Sequence, residues 1–125
     1  MKHKILTIVS LIFGLLFINA GLNKFFYYMP VPDDLPENIL KTMDAFNMIG
    51  WINPLVAVIE ILGGLLFIPA KTRALGAMVI FPVMVGIIIH HLVVAPAGLA
   101  LPIVLFAILV WVIVENRKKY FPMIA

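Results

Sequence analysis

Residues 51–94 read WINPLVAVIEILGGLLFIPAKTRALGAMVIFPVMVGIIIHHLVV, and only Glu60, Lys71 and Arg73 carry formal charge in that stretch. Crossing the hydrocarbon core as a helix takes roughly 17–25 apolar residues. The stretch therefore predicts two crossings, over 51–69 and 72–94, joined by a tight basic turn. Asn53-Pro54 reads as an N-cap followed by proline at the first helical position. Pro69 marks the stop of the first crossing, and Pro82 predicts a kink in the second.

Working outward, a third apolar run spans 5–26 and a fourth spans 97–114, entered through the turn signal Ala95-Pro96-Ala97-Gly98. The predicted fold class is all-α: a membrane four-helix bundle in one domain, 1–125, with a basic tail over 115–125. Composition agrees. Of 125 residues, 64% are hydrophobic and 12% charged, where soluble domains carry about a quarter charged. Mean hydropathy is +1.16. The absence of cysteine removes disulfides, thiolate metal sites and thiol redox chemistry. The net charge of +3 does not point to nucleic acid, because the basic residues sit in short clusters beside apolar segments rather than in a stripe.

Met1-Lys2-His3-Lys4 makes a fair start for a secretory signal. However, Ile18-Asn19-Ala20 puts a large residue where cleavage wants a small one, so the first run is read as a retained span. Placing both termini on the cytoplasmic side leaves Lys2, Lys4, Lys71, Arg73, Arg117, Lys118 and Lys119 inside and only Lys24 and Lys41 outside. That asymmetry follows the positive-inside rule, and Asp33, Asp34, Glu37 and Asp44 all fall in the outer loop.

Within that loop, Ile39, Leu40, Met43 and Phe46 recur at helical spacing after Pro36. They predict a short amphipathic helix over 36–47 in the first outer loop, serving as a surface anchor or as a lid. Tyr27, Tyr28 and Trp51 flank it as interfacial aromatics.

Polar groups inside the spans carry the functional information, because a charge at the bilayer centre costs about 2.5–3.5 kcal/mol and needs a partner. Glu60 is the outstanding case. Ala57, Gly63 and Gly64 share its face, and small residues let a neighbouring helix approach, so Glu60 is expected to point at protein. Its candidate partner is Lys24, on a stripe with Ser10, Gly14 and Gly21. Asn23 neighbours Lys24 and joins Lys24, Glu60, His90 and His91 as a candidate for ligand binding or proton transfer, whereas Asn19 lies a turn deeper, roughly on the other side. His90 and His91 close the third span. His90 shares a face with Gly76, Val83 and Gly86, which makes it the better interior candidate. Gly21, Gly63, Gly64, Gly76 and Gly86 are the candidate helix-packing positions, and Gly63-Gly64 suits contact within one chain or in a homo-oligomer.

Adjacent histidines on one helix cannot supply opposed axial ligands, which disfavours haem. One carboxylate with one or two histidines is a weak metal set, and no metal is assigned. No phosphate-cradling glycine loop, Gly-x-Ser-x-Gly elbow or two-histidine zinc helix is present.

Ala20-Gly21-Leu22-Asn23-Lys24, the Glu60-Ile61-Leu62-Gly63-Gly64 segment, Thr72-Arg73-Ala74-Leu75-Gly76-Ala77 and a histidine ending the third span occur in one order. Together they resemble the signatures of DoxX-like membrane proteins. The resemblance implies a four-helix bundle in the cytoplasmic membrane. The family name comes from a subunit of a thiosulfate:quinone oxidoreductase, and more distant relatives act as membrane chaperones. It therefore implies an accessory subunit of a quinone-linked redox complex, with quinone as the ligand and another membrane subunit as partner. Two alternatives stand beside it: an assembly factor without catalysis, and a small proton-coupled transporter using Glu60. Enzymatic activity of the isolated chain is left open.

Overall fold

A computed structural model describes residues 2–30 and 34–124, apart from the Lys2 side chain. Among them are six α-helices and no strand: α1 (Lys2–Phe26), α2 (Glu37–Ile49), α3 (Ile52–Phe67), α4 (Arg73–Val93), α5 (Ala100–Glu115) and α6 (Arg117–Tyr120). Single 3₁₀ turns occupy Pro96–Gly98 and Phe121–Met123. Asp33 of the acidic outer loop lies outside the described residues.

The protein is an all-α membrane helical bundle. Segments His3–Phe26 and Arg73–Val93 are long and apolar enough to cross a bilayer. The 16-residue helices α3 and α5 reach about 24 Å at 1.5 Å per residue. Each adjoins a sharp break in the chain: α2 is bent 93° from α3, and the Arg117–Met123 segment is bent 69° from α5.

Helix α1 packs along α3, α3 along α4 and α4 along α5. Phe13, Phe17, Phe67, Ile80, Met84, Leu109 and Val112 form the core, and Phe13 stacks on Phe67 with ring centroids 4.3 Å apart. The α1–α3 contact is a backbone crossing. A Cβ on Gly14 would lie 2.7 Å from the Gly64 carbonyl oxygen, and one on Gly64 would lie 2.6 Å from that of Gly14. Further along, a Cβ on Gly21 would meet the Ala57 oxygen at 2.6 Å. Gly76 closes the α3–α4 crossing, where a Cβ would meet the Phe67 nitrogen at 2.6 Å, and Gly63 abuts the Ile80 side chain.

The element ends differ from the sequence reading for identifiable reasons. Helix α3 stops at Phe67, short of Pro69, because the chain turns back to cap it. Thr72 Oγ1 donates to the Leu66 carbonyl at 2.7 Å. Arg73 Nε and Nη2 donate to those of Phe67 and Ile68 at 3.0 and 2.7 Å. These are the carbonyls a helix end leaves orphaned. Arg73, counted from sequence among the basic residues of the inner side, is buried.

The start of α3 also needs correction. Trp51 holds the N-cap position, and Asn53 and Pro54 lie inside the first turn. Proline costs no bond there, while Asn53 Nδ2 donates to Asn47 Oδ1 at 3.4 Å. The predicted start of the last helix at Ala97 is taken by the 3₁₀ turn, and α5 begins at Ala100.

Helix α2 ends at Gly50, whose φ of 81° suits glycine. Its half-buried positions are Ile39, Thr42 and Phe46, with Leu35 just before it, while Leu40 and Met43 of the predicted apolar set are exposed.

Candidate functional site

Glu60 stands eight residues into α3, about 12 Å along its axis. Ala57, Gly63 and Gly64 around it are buried, so α1 and α4 close over its flanks and leave the carboxylate 2% exposed. Lys24, in the last turn of α1, reaches it: Nζ to Oε1 is 2.6 Å. This is a short charge-assisted bond, of the kind that is among the strongest a protein makes. The Lys24 side chain retains 31% exposure, so the ammonium keeps N–H groups for another acceptor.

Beside the pair lies a cavity of about 510 Å³ between α1, α3 and α4, with Phe46 of α2 at its edge. Val56, Val83 and Ile87 supply apolar wall; Lys24, Glu60, His90 and His91 supply polar groups. The His90 ring centroid lies 6.0 Å from Phe46 and 5.5 Å from the edge-on ring of His91. His91 Nδ1 lies 2.8 Å from the Ile87 carbonyl oxygen one turn back. A mostly apolar concavity with a few convergent polar groups is the usual form of a small-molecule site.

The structure therefore places Lys24, Glu60, His90 and His91 around one cavity. Asn23 serves elsewhere: its Oδ1 accepts from the Met29 backbone N–H at 2.9 Å. With Asn19, whose backbone carbonyl accepts from Tyr28 Oη at 2.9 Å, it folds the chain back after α1. Tyr27 takes a φ of 52° at that bend.

Gly86, grouped with the packing glycines by its spacing, is not one of them. A Cβ there would meet nothing within 4 Å, and the residue lines the cavity. Pro82, Gly86 and His90 are spaced by four on α4, and all three border the space. A missing side chain on the stripe that ends in His90 was the available sign of a cavity. Phe46 was visible from sequence only as part of an amphipathic face. Among the described residues no cluster of three His, Cys, Asp or Glu side chains could hold a metal.

The sequence model of the DoxX family matches residues 5–96, well over half of the chain and every residue of the Lys24–Glu60–His90 group. The chain belongs to the DoxX family. No curated protein and no solved structure matches it. In this DoxX protein the matched region holds α1 to α4 and the cavity; α5 and the tail lie beyond it.

Proposed function

We propose that this DoxX protein is an accessory subunit of a membrane redox complex, and that its cavity receives a quinone headgroup. It crosses the membrane four times, with both termini cytoplasmic and the cavity near the outer face. One observation carries the reading: about 510 Å³ of mainly apolar space, with the Lys24 ammonium and two imidazoles facing it. A quinone ring needs apolar walls for its faces and hydrogen-bond donors for its two carbonyl oxygens. Lys24 supplies N–H donors from α1, and His90 supplies an imidazole N–H from α4. Glu60 holds Lys24 in place, since an ammonium facing an apolar wall is costly without its counter-charge. When bound, the quinone supplies two-electron redox chemistry, and the imidazoles give a route for protons.

The test is equilibrium binding of a short-chain ubiquinone, and in parallel a short-chain menaquinone, to the full chain in nanodiscs. Saturable binding is expected, weakened about tenfold by His90→Ala through loss of one hydrogen bond to the ligand. Absence of saturable binding of either quinone to the unmodified protein overturns the proposal.

The short Lys24–Glu60 bond also favours a second reading, an assembly factor in which the pair only locks α1 to α3. A Lys24→Glu/Glu60→Lys exchange that retains partner assembly supports it. The same bond weighs against a transporter, because Lys24 already occupies the Glu60 carboxylate.

A further inference from the structure

At the opposite end of the bundle the chain turns out of α5 by 69° and runs on as Arg117–Met123. Asn116 sets the bend. Its backbone N–H and its Nδ2 both donate to the Val112 carbonyl, at 3.0 and 2.8 Å, which ends α5 from within. Arg117 Nη1 then donates to the Val114 carbonyl at 2.8 Å.

Two longer bonds fasten the bent segment to the α3–α4 turn. Tyr120 Oη donates to the Ala74 carbonyl at 2.8 Å, and Lys119 Nζ to that of Ala70 at 3.4 Å. Lys71, next to Ala70, is thereby brought towards the tail. The tail's own cations, Arg117, Lys118 and Lys119, are exposed, as is Lys71. The three tail cations border a polar groove of about 350 Å³ that Asn116 and Glu115 also line, and Glu115 is engaged in an interaction of its own. Beyond the cations, Phe121, Met123 and Ile124 are 54%, 62% and 86% exposed.

We propose that Arg117–Met123, together with Lys71, is a binding site for an anionic phospholipid. The argument has two independent parts. Three exposed cations beside a groove, with exposed Lys71 on the turn to which the tail is fastened, attract a phosphate. Exposed Phe121, Met123 and Ile124 on the same short segment need an apolar environment, which acyl chains supply and free phosphate or a soluble acidic peptide does not. The segment's angle to α5 lays it along a membrane surface rather than through it. The site lies at the far end of the bundle from the quinone cavity and does not depend on that reading.

The experiment is native mass spectrometry of the full chain in a neutral detergent, titrated with phosphatidylglycerol, phosphatidylcholine or inorganic phosphate. At least tenfold preference for phosphatidylglycerol over phosphatidylcholine is expected, with inorganic phosphate failing to displace it. The Lys71→Gln/Lys118→Gln double variant, whose side chains make none of the bonds described, should weaken phosphatidylglycerol about 25-fold, at about fivefold per charge removed near the surface. Lys41→Gln, at the other end, should leave it unchanged. Equal retention of the two lipids, displacement by inorganic phosphate or by an acidic peptide, or equal effects of the double variant and Lys41→Gln overturns the assignment.

Discussion

Helix α3 meets α1 and α4, and the small residues along these two contacts are used in opposite ways. Against α1, Gly64 meets the Gly14 main chain with no room for a single carbon. On α4, near the Lys24 end, Gly86 faces open space and leaves a cavity against α3. Glycine has the same spacing signature in both places. What differs is whether a neighbouring backbone arrives, and spacing on one helix does not encode that. The lesson is that a small-residue stripe in a membrane protein marks either a seam or a hollow.

The sharpest way to break the comparison is Gly64→Leu. Its Cβ would collide with a main-chain oxygen, which cannot swing aside, so a loss of about 3 kcal/mol is expected, at the top of the overpacking range. Thermal unfolding in detergent reads it, and a midpoint equal to that of the unmodified chain would remove the seam. Next comes Glu60→Gln, which keeps a hydrogen bond to Lys24 but surrenders the charge. A loss of about 1–2 kcal/mol is expected in the same melt, the difference between charged and neutral bonds. Gly86→Leu should move stability the other way, by up to about 1 kcal/mol, because leucine is the better helix former. It should also abolish short-chain quinone binding by filling the hollow. Destabilisation comparable to that of Gly64→Leu would merge the two sides into one.

The smallest effect concerns neither side but the tail. Burial pushes the Tyr120 hydroxyl above the ordinary phenol range. The folded chain thus holds that proton more tightly than the unfolded one does. Its contribution is complete below the unfolded phenol range and is lost as pH rises through the raised value. Tyr120→Phe should flatten the alkaline end of a pH–stability curve slightly and leave the rest alone.

Much of this architecture was legible before any coordinates. Apolar runs broken by Pro69 and by residues 95–98 placed the helices within a few residues, because a bilayer imposes a length that composition alone can meet. The Lys24–Glu60 pair was legible for a related reason: a carboxylate that deep must find a counter-charge, and few were available. What stayed hidden depends on contacts across helices. Arg73 entered the sequence reading only as one of the inner basic residues, yet it closes the end of α3 through the Phe67 and Ile68 carbonyls. Asn23 looked like a ligand-side amide, yet it binds the Met29 backbone. The inward set of α2 proved to include Thr42 rather than Met43, because the face a short helix buries is decided by what it lies on.

The reciprocal clash at Gly14 and Gly64 has a consequence for how such a protein can diverge. Each position is blocked by the other's main-chain oxygen, and every amino acid carries one. No change at one site can therefore rescue a larger residue at the other, and replacing both should be worse than replacing either. The two positions admit no compensating pairs, so lineages that keep this crossing must inherit both glycines together.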